Sequence, residues 1–142
     1  MANSVYSFSD VSLVLSHPAA GMCTITGEGV GSITVTRATD SSQHDVAADG
    51  SVMTSKIIAA NGSVALSVQQ TSPANIWLKK LYAYLVTAPT NEWARMSGVL
   101  KNPAVGETID ISGMAFQKRA DAAYQQTGQQ VTWNFLADTI SG

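Results

Sequence analysis

Charge is what this chain has least of. Asp, Glu, Lys and Arg make up 13% of its 142 residues, about half the usual quarter of a globular domain. Eight cations face ten acids, for a net charge of −2. The cations are scattered, and only Lys79–Lys80 and Lys118–Arg119 are adjacent. That leaves no clustered basic face of the kind tight nucleic-acid binding uses. One cysteine, Cys23, excludes an intrachain disulfide and fits folding in a reducing cytoplasm. The opening MANSVYSFSD has neither a basic n-region nor an apolar h-region, so no secretory signal is expected. No apolar run approaches the length of a membrane-spanning helix.

Hydrophobic content is ordinary at 45%, enough for a soluble domain with a sizeable core. With so few charges, the polar surface must be built from Ser, Thr, Asn and Gln. Such a surface is either covered by further copies of the chain or is simply a neutral exterior.

One stretch reads clearly as helix: Ser72–Thr87, SPANIWLKKLYAYLVT. Ser72 suits the N-cap and Pro73 the first helical position, where a missing N–H costs nothing. Ala74, Trp77, Leu78, Leu81, Leu85 and Ala88 recur on one face, with Lys79, Lys80, Ala83 and Thr87 opposite. Trp77, Leu78, Leu81 and Leu85 are the expected helix core, at roughly 2 kcal/mol of burial each. Ile76 and Val86 lie off that stripe and hint at a second surface against the helix.

Elsewhere the pattern has the two-residue period of strands. Asp10–Ser16 alternates through Val11, Leu13 and Leu15 and ends at His17-Pro18, with His17 read as a turn residue. Met22–Thr26, Ser32–Arg37, Glu92–Lys101, Glu107–Gln117 and Gln129–Ala137 follow as strands, with a bulge at Gly113. Asp49-Gly50 and Asn61-Gly62 read as two-residue hairpin turns bracketing Ser51–Ala60 and leading into Ser63–Gln70. Ala104–Gly106 reads as a turn, and Ala120–Gly128 as a loop or short helical turn. The fold class expected is mainly β: an antiparallel β-sandwich or barrel with one flanking helix over about residues 73–87. Residues 1–142 read as one domain, with a protruding arm at about 38–49.

Chemistry is hard to find. The glycine-rich GEGVG (27–31) lacks the following helix that would hold an anion. His44-Asp45 has no third ligand nearby. Cys23 lacks the spacing of a nucleophile paired with a histidine. Glu107 and Asp110 cannot share one face of a strand. Trp77, Trp93 and Trp133 could line a sugar site, but two of them sit in core-like patterns. The expectation is a non-enzyme without cofactor or metal.

Several strings in order carry a resemblance: HDVAADGSVMTSKI (44–57), NGSVALSVQQTSPANIWLKKL (61–81), SGMAFQKRADAAY (112–124) and VTWNFLADTI (131–140). Together, from about Ser9 to Ile140, the chain resembles the tail tube proteins of contractile-tailed bacteriophages. That resemblance implies a subunit assembling into hexameric rings, stacked into a hollow tube that conducts double-stranded DNA without binding it tightly. It implies a tail sheath, a tape-measure protein and a baseplate as further partners. It also implies residence in the virion, after synthesis in the host bacterial cytoplasm. The Ser/Thr/Asn rows Ser32, Thr34, Thr36 and Thr132, Asn134 suit the lining of a wet channel. A net-negative chain fits too, because a basic lumen would trap phosphate. The polar arm, with Asp40, Ser41, Gln43, His44 and Asp45, is the natural ring-to-ring contact, or else only a loop. The competing readings are a monomeric ligand- or carbohydrate-binding β-sandwich and the tube of a type VI secretion-like system.

Overall fold

A computed structural model describes residues 10–25, 30–103, 106–120 and 126–141. Ten strands and one α-helix lie within them: β1 (Ser12–His17), β2 (Gly21–Ile25), β3 (Val30–Arg37), β4 (Ser42–Val46), β5 (Val52–Lys56), β6 (Gly62–Gln69), α1 (Pro73–Thr87), β7 (Met96–Asn102), β8 (Glu107–Lys118), β9 (Gln130–Ala137) and β10 (Thr139–Ser141). Seven strands run in the order β2-β1-β7-β8-β9-β6-β3, with β10 added to β8. Every pairing is antiparallel. The fold is therefore mainly β with a flanking helix.

β8 is the hinge between two leaves. Its buried residues are Ile111 on the odd positions, then Met114 and Phe116 on the even ones. Such a change of parity requires one extra residue, a β-bulge. Gly113 supplies it at φ 63, a conformation glycine adopts without steric cost. Up to Met114 β8 pairs with β7, and over Asp110–Ser112 with β10; from Ala115 it pairs with β9. Both leaves and α1 share one core, in which Leu13, Leu15, Val64, Leu66, Leu78, Leu81, Trp133 and Phe135 are almost wholly buried.

The strands β1, β6 and β9 alternate strictly between buried and less buried positions. His17 closes the buried row of β1 instead of sitting in an open turn. Its Nδ1 accepts from the Ala19 amide at 3.0 Å, so Nε2 carries the hydrogen and donates to the Glu92 carbonyl at 3.0 Å. The expected strand at Glu92 begins later: a 3-10 turn occupies Thr90–Glu92, and β7 starts at Met96.

The largest departure from the sequence reading is at the hairpins. β5 pairs with β4, not with β6. β6 instead lies between β3 and β9, and Gly62 stands opposite Arg37. Asn61-Gly62 is thus no two-residue turn but the start of β6. A Cβ on Gly62 would collide with the Thr36 carbonyl, so the glycine serves close strand packing, not a left-handed turn. Asp49-Gly50 does turn the chain, as a three-residue loop. The Ala47 amide bonds the Ser51 carbonyl at 2.9 Å, the Gly50 amide bonds the Ala47 carbonyl at 3.0 Å, and Gly50 has φ 91. The glycine-rich connector and the two segments after β7 and β8 fall partly or wholly outside the described residues.

Candidate assembly surfaces

Three surfaces are built by this fold. The first is the outward face of β3, β6 and β9. Register sets Ser32 beside Ser67 and Ser67 beside Thr132, then Thr34 beside Ala65 and Ala65 beside Asn134. The Ser67 and Thr132 hydroxyls bond each other at 3.0 Å. The two rows picked from the sequence therefore belong to one surface, joined through β6. Its outward positions carry hydroxyls, amides, Ala65 and the half-exposed Leu136, but no charge. Lys118, opposite Asn134 at the end of β8, is the cation at its margin.

The second surface is an arm. β3 leaves the sheet at Arg37 and β6 re-enters it opposite, so residues 38–61 are an excursion from an otherwise continuous ribbon. Its root is closed by Ala38 N–H to the Asn61 carbonyl at 3.1 Å and by Thr39 Oγ1 to Asn61 Oδ1 at 3.0 Å. Beyond the root, β4 and β5 form a separate two-stranded sheet whose ten side chains are all exposed. Gln43 stands opposite Ser55, His44 opposite Thr54 and Asp45 opposite Met53. Asp40 and Ser41 lie exposed at the base of the ribbon. His44 and Asp45, as neighbours on a strand, point to opposite faces, so they cannot share a metal. No metal-holding cluster of three donors occurs among the described residues.

At the tip, Asp49 accepts from the Ser51 amide at 3.0 Å and from its hydroxyl at 2.6 Å. Those bonds favour the charged form and hold the Asp49 carboxyl below its ordinary value, more than offsetting slight desolvation. Beside it, Val46 and Val52 are a directly opposed pair, both exposed. Sequence reasoning missed this pair because the arm has no buried face against which alternation shows.

The third surface is the outer side of α1. Ser72 caps the helix through its side chain to the Asn75 amide at 3.4 Å. Leu78, Leu81 and Leu85 are buried, while Trp77 lies at the rim with its indole N–H 3.4 Å from the Ala20 carbonyl. Lys79, Lys80, Ala83 and Thr87 face outward, as do Ile76, Tyr84 and Val86. Between helix and β1–β2 turn lies a groove of about 280 Å³, lined by Ala19, Ala20, Trp77, Lys80, Leu81 and Tyr84.

Among the described residues, the groups singled out for catalysis or sugar binding stand apart from one another. Cys23 is half-buried, and burial pushes its thiol up from the ordinary value, away from the reactive thiolate. His17 is engaged at both ring nitrogens. The three tryptophans do not converge: Trp133 is buried, Trp93 stacks edge-on with Tyr82, and Trp77 sits by Ala20.

The family model described as "Bacteriophage PhiTE tail tube protein" matches residues 3–142. Among solved structures, the cap that terminates the tube of the anti-feeding prophage is similar over 99% of this chain and 91% of its own, at 9% identity and TM-score 0.59. The sheath/tube terminator of the PVC extracellular contractile injection system, in its extended state, matches over 99% and 98%, at 10% identity and TM-score 0.59. A chain of the PVC sheath-tube complex in the extended state matches over 91% and 86%, at 8% identity and TM-score 0.55. At such identities the likeness is one of fold. Comparison with curated protein sequences gives no match.

Proposed function

The chain belongs to the bacteriophage PhiTE tail tube family, and from that premise we propose that it forms hexameric rings stacked into the inner tube of a contractile tail, with the β3-β6-β9 face lining the lumen. The observation that carries this reading is the uncharged hydroxyl and amide face of three adjacent strands. Phosphate binding gains its strength by exchanging condensed counterions for protein cations. A face without cations offers no such exchange, so a duplex slides past it wet and unheld.

The same leaf has two lateral edges: β3 on one side, and β8 beyond Gly113 on the other. No second strand pairs with β8 past Met114 among the described residues. Joining β3 of one copy to that part of β8 in the next removes both edges and closes a continuous barrel, which an exposed edge otherwise leaves prone to unwanted pairing. The arm, with Asp40, Ser41, Gln43, His44 and Asp45, reaches the adjacent ring. Sheath outside, tape measure within and baseplate at the end complete the assembly, and the tube resides in the virion. A match to a phage tube family supports this over the type VI reading.

The test is direct. Concentrated purified protein should give rings or tubes in electron micrographs and a multimer by light scattering. The tubes should bind duplex DNA weakly at physiological salt, whereas Thr34→Lys with Thr132→Lys should bind it tightly with a steeper salt slope. A concentrated protein that stays monomeric would overturn the tube reading. Tight binding by the parent would overturn the lumen assignment.

A further inference from the structure

We propose that the tip of the β4–β5 ribbon docks, through Val46 and Val52, into the groove between α1 and the β1–β2 turn of a second copy of this chain. The inference rests on the self-assembly proposed above and names the place where the arm lands.

Three observations converge. The ribbon has no support of its own: all ten strand residues are exposed, and an isolated two-stranded hairpin is marginal in water. Yet its tip is apolar, with Val46 64% and Val52 54% exposed on one ribbon face. The groove is the complementary feature. Ala19, Ala20, Trp77, Leu81 and Tyr84 give it an apolar lining, and Lys80 is its one charged residue. At about 280 Å³ it falls just below the roughly 300–1,000 Å³ of small-molecule sites, a size suited to a pair of aliphatic side chains.

Charge selects the same partner. From Ser72 to Thr87 the formally charged side chains are Lys79 and Lys80 alone. From Ala38 to Asn61 they are Asp40, Asp45 and Asp49 against Lys56. The most basic outward helix face and the most acidic excursion thus sit on one molecule. A tip on one copy meeting a groove on the next is a heterologous contact, which propagates a stack when its rotation does not close into a ring. Complementary charge also steers encounter and disfavours the tip-to-tip alternative.

The experiment uses the full chain with Cys23→Ser, Val52→Cys and Ala20→Cys, treated after assembly with a short bis-maleimide. Both cysteines occupy exposed positions, so the fold should survive, as circular dichroism would verify; Val46→Cys serves as a second tip position. A covalent ladder of multimers is expected. It should weaken several-fold when Lys79 and Lys80 are changed to Glu, and less so at high salt. Multimers without a ladder from either tip position would overturn the docking site and leave self-assembly standing. Consumption of both thiols within the monomer, without a ladder, would mean that the ribbon folds back on its own groove, which also overturns it. Absence of multimers in parent and variants alike would remove the assembly reading and this contact together.

Discussion

The indole N–H of Trp133 donates to Asn75 Oδ1 at 3.0 Å, tying the centre of β9 to the first turn of α1. Both residues are almost completely buried. Asn75 also donates through Nδ2 to the Gln70 carbonyl at 2.9 Å, and its own amide meets the capping Ser72 hydroxyl. One amide side chain therefore satisfies a buried tryptophan, the chain entering the helix, and the link between helix and sheet. Around Trp133, Phe116 and Tyr82 pack edge-on, with centroids 5.5 Å from Trp133 to Phe116 and 5.4 Å from Phe116 to Tyr82.

Asn75→Leu is accordingly expected to destabilise the subunit although it places an apolar residue in the core. It leaves the buried Trp133 N–H without its Asn75 partner, at about 1–3 kcal/mol, and removes the bond to the Gln70 carbonyl. Ile76→Ala, one position further on and half-exposed, should cost well under that. Denaturant unfolding followed by tryptophan fluorescence compares the two. Equal midpoints would show that the Asn75 bonds add nothing.

Much of the fold is legible in the sequence where one face is buried and the other is not. Leu13 and Leu15, Val64, Leu66 and Val68, and Val131, Trp133 and Phe135 alternate because each row has a core on one side only. Ser72-Pro73 marks the start of α1 because capping is local chemistry. Asn75 was not legible: a polar residue next to an apolar stripe looks solvent-facing, and only its partner from β9 explains it. The β4–β5 pairing was hidden for the opposite reason. With both faces in water, no hydrophobic pattern records its register, and Asn61-Gly62 offered a false turn. The Ser/Thr rows were visible separately, but their union through β6 depends on long-range strand order.

Gly113→Ala should be among the most damaging single changes in the sheet. Its φ of 63 is unfavourable for a residue with a Cβ, and that Cβ would fall 2.5 Å from Cβ of Asp138. A loss of about 1–3 kcal/mol from the backbone alone follows, with the clash added. Asp138→Gly in the same chain should recover the clash but not the backbone part. The double-mutant cycle on unfolding free energies should therefore show coupling; strict additivity would mean that the two positions yield independently.

The turn at the arm's tip should loosen in acid. Hydrogen bonds from Ser51 lower the Asp49 carboxyl below 3.8 in the folded chain, so their contribution is fully present above the unfolded value and is lost as pH falls through the folded one. The Ser51 amide resonance should therefore titrate only below about pH 4, and Asp49→Ala should abolish that titration. A Ser51 amide that titrates unchanged in Asp49→Ala would show that another group governs the turn.

Removing the arm should separate folding from stacking. Arg37 and Gly62 already stand opposite each other, so replacing residues 39–60 with a short Gly/Ser linker leaves the strands β3 and β6 joined by an ordinary hairpin connection. The excursion contributes none of the buried hydrophobic residues of the core, so thermal unfolding of the shortened monomer should stay close to the parent. In the proposed stack its ordering cost is met on contact with a neighbour, and without it that proposed contact would have no anchor. The shortened protein is expected to give single rings or monomers under conditions where the parent makes tubes. Circular dichroism and electron microscopy on one sample read both outcomes. Tubes of parental length would place the stacking contact elsewhere, and an unfolded subunit would show that the arm's root, where Thr39 bonds Asn61, supports β3 and β6 from outside.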